Sequence, residues 1–234
     1  MRKVKPADVK SSFLALVTEK KSYFLRHERS LKGTAREMKD LSLLSEMILH
    51  SLCVDFECFL SDLVLAYINR DPSAYQRDLF ARVQVSVLSK FDDWTASRLT
   101  LKSEKNIKID EIEQLINPRD FNVTFKDVND LKAKANRWIC PAYSAGIAGV
   151  SAADSRLIDT THSVRDFIAH QSVHSKNNMN NMLRTIDGGN NCPNNGLGSA
   201  QNIHNVGSFL KASVGNQRRA LRYADRLLSI ATTL

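Results

Sequence analysis

The chain has 234 residues, of which 43% are hydrophobic and 25% are charged, and its formal net charge is +8. A chain of this length and composition can bury a core of its own, so collagen-like, wholly disordered and disulfide-scaffold classes are excluded. Its longest apolar runs have five or six residues, whereas a membrane-spanning helix needs about 20. We therefore expect no membrane partner. The excess of basic over acidic residues, 33 against 25, favours binding to polyanions such as RNA.

Cysteine usage and the first residues of the chain indicate a cytoplasmic protein. None of the four cysteines belongs to a Cys-x-x-Cys pair, and their scatter argues against a disulfide framework; they are Cys53, Cys58, Cys140 and Cys192. The basic residues at the start run into Pro6 and Asp8, not into the apolar segment that a signal peptide requires. We expect reduced thiols and a cytoplasmic location.

Apolar residues recur at three- and four-residue steps along the first 143 residues, where Gly33 is the only glycine. This spacing is typical of buried helix faces. It predicts a first helix over about 7–27, a second from a capping box at 34–37 to the turn at 69–72, and a third through Trp94. A short helix over 110–116 follows, and then a helix capped by 124–127. The Cys140-Pro141 pair and the Gly146–Gly149 stretch are expected to end the latter.

The second half of the chain is predicted to hold two more helices, one from near Asp154 and one over 206–231. Between them, residues 177–205 contain ten asparagines and four glycines, too many turn formers to continue a helix. We predict a mobile loop there, which a Gly-Ser linker should replace without loss of stability. The whole chain is expected to be all-α, a bundle of about five long helices in one domain over 1–234.

The most informative segment is a histidine-rich stripe. His162, Asp166, His170 and His174 follow one another at four-residue steps, which places them on one face of a continuous helix. The Asp166 carboxylate is then positioned to accept a hydrogen bond from His170 and to tune it for proton transfer. Arg165 adds a permanent cation beside the stripe. Together, His170 and Arg165 fit the needs of phosphodiester transfer, in which a proton moves and negative charge accumulates.

The segment Arg165-Asp-Phe-Ile-Ala-His170 resembles the motif of the HEPN superfamily, an Arg and a polar residue followed by a short spacer and a His. Residues 52–63, Leu-Cys-Val-Asp-Phe-Glu-Cys-Phe-Leu-Ser-Asp-Leu, are similar to the early helix of its RiboL-PSP-like branch. In that helix an aromatic-Glu pair precedes an aromatic and aliphatic run. Residues 122–131 are similar to a short helix that such proteins place between the two motifs. The resemblance spans roughly residues 41–174, and its specific part is the Arg165–His170 motif.

The resemblance implies an all-helical bundle that dimerises with its motifs facing each other and cleaves RNA without a metal. By this resemblance His170 transfers protons, Arg165 stabilises the pentacoordinate phosphorane, and Asp166 orients the site. RNA is then the substrate, the oligomer is a homodimer, and an antitoxin or a sensor protein is a further partner. Gln171 stands where the family often has a small residue after the His, which leaves open whether the helix continues past His170.

Other residues carry weaker predictions with open alternatives. Glu57 is predicted to bind Arg165 and hold it in position, or else to lie at a solvated helix edge. Arg218, Arg222 and Arg226 form a basic stripe on the last helix, which either tracks RNA phosphates or faces solvent and complements the helix dipole.

We predict no cofactor and no metal, because one straight helix offers an ion only two ligands from the histidine stripe. The alternative to a nuclease is a non-catalytic helical module in which Arg165 and His170 bind a nucleotide or build a protein interface.

Overall fold

A computed structural model describes residues 3–100, 102–117, 123–186 and 192–234. The expectation of an all-α chain is confirmed, since 73% of these residues are helical and 2% are in strands. The helices are α1 (Pro6–Leu31), α2 (Glu37–Arg70), α3 (Ser73–Leu88), α4 (Asp93–Ser97), α5 (Ile109–Ile116), α6 (Val128–Trp138), α7 (Pro141–Ala148), α8 (Ala152–His170), α9 (Val173–Thr185), α10 (Val206–Lys211) and α11 (Arg219–Thr233), and a two-stranded hairpin comprises β1 (Ser213–Val214) and β2 (Gln217–Arg218).

The predicted boundaries of the long second helix agree with the structure. Gly33, at φ 78°, makes the turn between α1 and α2, and its N–H donates to the Glu37 carboxylate over 2.7 Å. In a capping box on Thr34 the Glu37 carboxylate accepts from the N–H of Thr34. In the structure it accepts from the N–H of Gly33, one residue earlier. At the other end α2 ends at Arg70, two residues before Pro72, because a proline disfavours helical backbone in the residue that precedes it.

In the middle of the chain one predicted helix end is wrong, and one helix was not predicted. The third helix stops at Leu88, and Trp94 lies in the separate helix α4 with 64% of its surface exposed. Cys140-Pro141 ends α6 as expected, but Pro141 also begins α7, which Gly149 then caps. A proline is well suited to the first turn of a helix, where its missing N–H would have no partner in any case.

The chain divides into two compact units, one of Met1–Val9 and Phe59–Gly149 and the other of Lys10–Cys58 and Val150–Leu234. In the first unit the buried Asn69 accepts a hydrogen bond from Val4 N at 3.0 Å and donates to Ile107 O at 2.7 Å. Tyr75 meets the Trp138 ring edge-on, and the Trp138 indole donates to Asp78 over 3.1 Å. A single domain over 1–234 stays a prediction.

The second unit contains every residue of the histidine stripe. Its core is apolar and is drawn from α1, the first part of α2, α8, α9, α10 and α11; the members that expose less than 2% of their surface include Val17, Phe24, Leu49, Leu52, Phe56, Leu157, Ile158, Val164, Leu183, Leu210 and Leu227. Ion pairs join its helices: Lys20 of α1 binds Asp55 of α2, and Lys21 binds Asp225 of α11. The unit therefore combines an apolar core with charged links between helices.

The predicted loop over 177–205 is wrong for its first nine residues, which belong to α9. Met179 and Leu183 are fully buried, and the Leu183 carbonyl accepts a hydrogen bond from Ser199 N at 3.0 Å. Asn180 exchanges two hydrogen bonds with the backbone of Ile203. These contacts show that apolar residues spaced for one helix face outweighed the asparagine content. Residues 187–191 of the predicted loop lie outside the described residues.

The predicted final helix over 206–231 is interrupted. Gly215 has φ 62°, the left-handed conformation that the first residue of a tight hairpin turn requires. β1 and β2 pair on either side of it, with Val214 opposite Gln217, and α11 begins directly afterwards. Among the described residues, no helix has both the length and the hydrophobicity of a membrane span.

Truncation of Leu183 tests the packing of α9. Because the side chain is fully buried, we expect Leu183→Ala to lower the free energy of unfolding by about 2–5 kcal/mol in urea denaturation. Asn178→Ala is the matched control, since Asn178 is exposed on the same helix, and its effect should stay within about 0.5 kcal/mol. A Gly-Ser linker in place of 177–205 should likewise lower the Tm; an unchanged Tm would show that α9 does not contribute to the core.

Candidate functional site

The helix α8 presents a mixed polar and apolar face to the interior. Ser151 caps its start by accepting a hydrogen bond from Asp154 N at 3.0 Å. Three hydroxyl side chains are buried along it, and each donates to a carbonyl of its own helix; they are Thr160, Thr161 and Ser163. Such bonds satisfy a buried hydroxyl without a partner from another element. α8 thereby packs closely against α9 although half of its buried residues are polar.

The end of α8 falls at His170, which decides the question left open by Gln171. Gln171 has φ 49°, and its N–H donates to Phe167 O over 2.9 Å. This left-handed position at the end of a helix is usually occupied by glycine. Ser172 then caps α9 by accepting a hydrogen bond from Ser175 N at 3.0 Å. His174 therefore lies on α9, and the expectation of four stripe residues on one continuous helix is wrong.

Arg165 lies between two carboxylates. Its Nη2 donates to Glu57 Oε1 of α2, and its Nη1 pairs with Asp166 Oδ1 at 3.0 Å. The predicted contact between Glu57 and Arg165 is thus present. Burial acts to lower the pKa of the Arg165 guanidinium, but its hydrogen bond to Glu57 raises that pKa above its ordinary value overall. The guanidinium is therefore permanently charged and held in a fixed orientation.

Two further side chains meet the Glu57 carboxylate. His162 Nε2 lies 3.7 Å from Glu57 Oε1, and the Cys53 thiol lies 4.0 Å from the same oxygen. Burial raises the pKa of Cys53 to about 12, with the Glu57 charge adding to the effect. Burial also lowers the pKa of His162, against the opposing pull of Glu57. Both groups are therefore neutral at pH 7.

We call Cys53, Glu57, His162, Arg165 and Asp166 the Glu57 cluster. Cys53 was not among the site residues predicted from the sequence. The signal that would have found it is the four-residue step from Cys53 to Glu57, which puts both side chains on one face of α2.

His170 is exposed at the end of α8. Its ring makes no hydrogen bond or ion pair with any described residue, so the expected bond from His170 to Asp166 is absent. Asp166 binds Arg165 instead, because a carboxylate gains more from a permanent cation than from an imidazole. Asp166 thus helps to hold the guanidinium and does not orient His170.

The three arginines predicted to track phosphates have partners within their own unit. Arg218 Nε donates to Glu28 Oε1 at 2.6 Å, and Arg222 Nη2 donates to Asn195 O at 3.1 Å. Arg226 pairs with Asp154 Oδ1 at 2.5 Å. They also do not share one helix, since Arg218 belongs to β2. Each is occupied in holding segments of the second unit together, and their binding to RNA stays a prediction.

Comparison with protein-family profiles, with curated proteins and with solved structures finds no match for this chain. The resemblance to the HEPN superfamily therefore stays a prediction from the sequence motif.

The buried His162 gives a pH-dependent test of the Glu57 cluster. The folded pKa of His162 lies below its ordinary value of 6.5, so the unfolded chain takes up the proton first as the pH falls. The contribution of His162 to stability is therefore complete above about pH 6.5 and is lost progressively below it. We expect His162→Gln to flatten the fall in unfolding free energy between pH 7 and about pH 5, measured by urea denaturation in chelator.

His174→Gln is the control for this measurement, because His174 is exposed on α9. Its pH profile should run parallel to that of the unaltered protein. Parallel profiles for His162→Gln as well would contradict a buried, neutral His162.

Proposed function

We propose that the protein is a metal-independent endoribonuclease of HEPN type. In this reaction the ribose 2′-hydroxyl attacks the adjacent phosphorus and the bond to the 5′-oxygen breaks, which leaves a 2′,3′-cyclic phosphate and a 5′-hydroxyl. His170 of one of two protomers transfers the proton between these oxygens. Arg165 stabilises the charge of the phosphorane.

The observation that carries the proposal is the state of Arg165. A guanidinium that is charged, oriented by Glu57 and Asp166 and still one-quarter exposed is suited to developing phosphate charge, because it needs little reorganisation in the transition state. The exposed His170 ring lies on the same helix. An imidazole without an internal partner is free to exchange protons with a substrate.

The helix geometry favours a composite site built by two copies. Arg165 and His170 are five residues apart on α8, which separates them by about 7.5 Å along the axis and about 140° around it. One copy therefore presents the cation and the imidazole on different sides of the helix. A two-fold pairing of α8 helices brings the imidazole of each protomer toward the guanidinium of the other.

The charge of the chain supports RNA as the substrate class, since a net charge of +8 attracts a polyanion. By the resemblance, such nucleases act as toxins or antiviral effectors. A neutralising antitoxin or a sensor protein is therefore part of the proposal, together with a cytoplasmic site of action.

Replacement of His170 tests the chemistry. Because the ring is exposed and makes no internal bond, we expect His170→Ala to leave the Tm unchanged. Loss of a general acid or base should lower the cleavage rate by about a hundred- to ten-thousand-fold. The measurement is cleavage of total RNA in chelator, with the product ends identified as cyclic phosphates.

His174→Ala is the matched control, because His174 is equally exposed but lies on α9 outside the motif. It should retain full activity. Full activity in His170→Ala, or intact RNA with the unaltered protein, would instead favour a non-catalytic nucleotide-binding or protein-interaction module.

A second test addresses the homodimer. Light scattering at micromolar concentration should give twice the chain mass of 26.3 kDa. Mixing inactive His170→Ala and Arg165→Ala chains should restore part of the activity, because a mixed dimer unites one intact imidazole with one intact guanidinium. A strictly monomeric protein with undiminished activity would remove the composite site.

A further inference from the structure

Three different metal-ligand types meet in the Glu57 cluster. Cys53 and Glu57 lie one turn apart on α2, and His162 faces them from α8. The Cys53 sulfur, a Glu57 oxygen and a His162 nitrogen all lie within 4.8 Å of one another. Thiolate, imidazole and carboxylate are the three protein ligands that zinc uses. Together the two helices offer three ligands to one ion, whereas the histidine stripe on a single helix offers two.

The distances suit a zinc ion with only small movements. Tetrahedral zinc places a sulfur and an oxygen ligand about 3.5 Å apart, and a nitrogen and an oxygen ligand about 3.3 Å apart. The corresponding separations to Glu57 Oε1 are 4.0 Å from Cys53 and 3.7 Å from His162. These two pairs each have to close by about half an ångström, and the Cys53 sulfur and the His162 nitrogen lie within 4.8 Å of each other.

The His162 ring contributes an independent observation. Its Nε2 atom is fully buried and has no hydrogen-bond partner among the described residues. A buried polar atom without a partner costs free energy, roughly 1–3 kcal/mol. A metal ion bound at Nε2 removes that cost. The ring is also neutral at pH 7, because burial lowers its pKa, and only a neutral imidazole can ligate a metal.

Charge balance allows a zinc ion to take the place of Arg165 at the Glu57 carboxylate. On binding, the Cys53 thiol releases its proton to solvent and its sulfur bonds to zinc, so the thiolate and the Glu57 carboxylate together offset the two positive charges of the ion. Zinc then replaces the Arg165 guanidinium at Glu57. Arg165 keeps a carboxylate partner, because its Nη1 already pairs with Asp166 at 3.0 Å. The zinc ion and the Arg165–Glu57 pair are therefore alternative occupants of one position.

We propose that Cys53, Glu57 and His162 form a zinc site in which the ion competes with Arg165 for the Glu57 carboxylate. Three protein ligands leave one coordination position for water. The site goes beyond the proposed nuclease function, which needs no metal, and binding and RNA cleavage are measured separately. Either proposal can therefore fail without the other.

The test is a titration of the full chain, stripped with chelator and kept reduced, with Co²⁺ as a spectroscopic substitute for Zn²⁺. We expect a thiolate-to-cobalt charge-transfer band that saturates at one ion per chain and disappears when Zn²⁺ is added. Cys53→Ala should abolish the band, and His162→Gln should weaken binding by at least about tenfold. Arg165→Leu should strengthen binding by about tenfold or more, because it removes the competing cation.

Cys58→Ala is the matched control, since Cys58 is an exposed cysteine on the same helix. It should retain the band. No band with the unaltered protein, or a band lost in Cys58→Ala and kept in Cys53→Ala, would overturn the site. Circular dichroism shows whether Cys53→Ala folds. If it does not fold, weaker or unchanged binding in Arg165→Leu still overturns the competition, and tighter binding supports it.

Discussion

The second unit depends on one carboxylate, that of Glu57, which lies where α2 meets α8. Its Oε1 atom binds the Arg165 guanidinium and lies 4.0 Å from the Cys53 sulfur and 3.7 Å from His162 Nε2. A partly buried guanidinium needs such a counter-charge, because an unpaired charge inside a protein is very costly. Glu57 therefore fixes the orientation of Arg165. It also sets the electrostatic surroundings of the two neutral groups beside it.

Several basic side chains of this unit connect its segments to one another. Arg218 and Arg226 each hold an acidic residue of a distant segment, and Lys20 and Lys21 link α1 to α2 and α11. Ion pairs of this kind add little to the free energy of folding. Their main effect is to specify which segments lie side by side. An arginine with two or three internal partners is correspondingly less available to a phosphate. Net charge alone thus says little about which basic side chains would contact RNA.

The left-handed residue Gln171 separates the two chemical environments of α8. Upstream of it, Asp166 and Arg165 are tied into the Glu57 cluster. Directly before it, His170 ends the helix in solvent. Had the helix continued, His174 would have followed His170 on the same face. The turn instead starts α9, whose apolar residues return to the core, and leaves His170 as the last exposed side chain of the motif.

Local sequence patterns were sufficient to predict the all-α class, the ends of α2 and the presence of helices at α1, α5, α6 and α8. These features depend on local causes, namely the three- and four-residue spacing of apolar side chains and the turn residues around Gly33 and Pro72. The contact between Glu57 and Arg165 was also predicted, but only with the help of the resemblance of the motif to a known family.

Which groups come together over long separations in the chain follows from the tertiary packing and not from local patterns. Cys53 and Glu57 meet His162 across more than a hundred residues, and no periodicity encodes such a meeting. The asparagine-rich segment became α9 because Met179 and Leu183 found a core to enter, and burial of apolar surface outweighs the weak helix propensity of asparagine. Asp166 pairs with Arg165 and not with His170. Which of the two is the nearer charge partner depends on where the side chains lie in space.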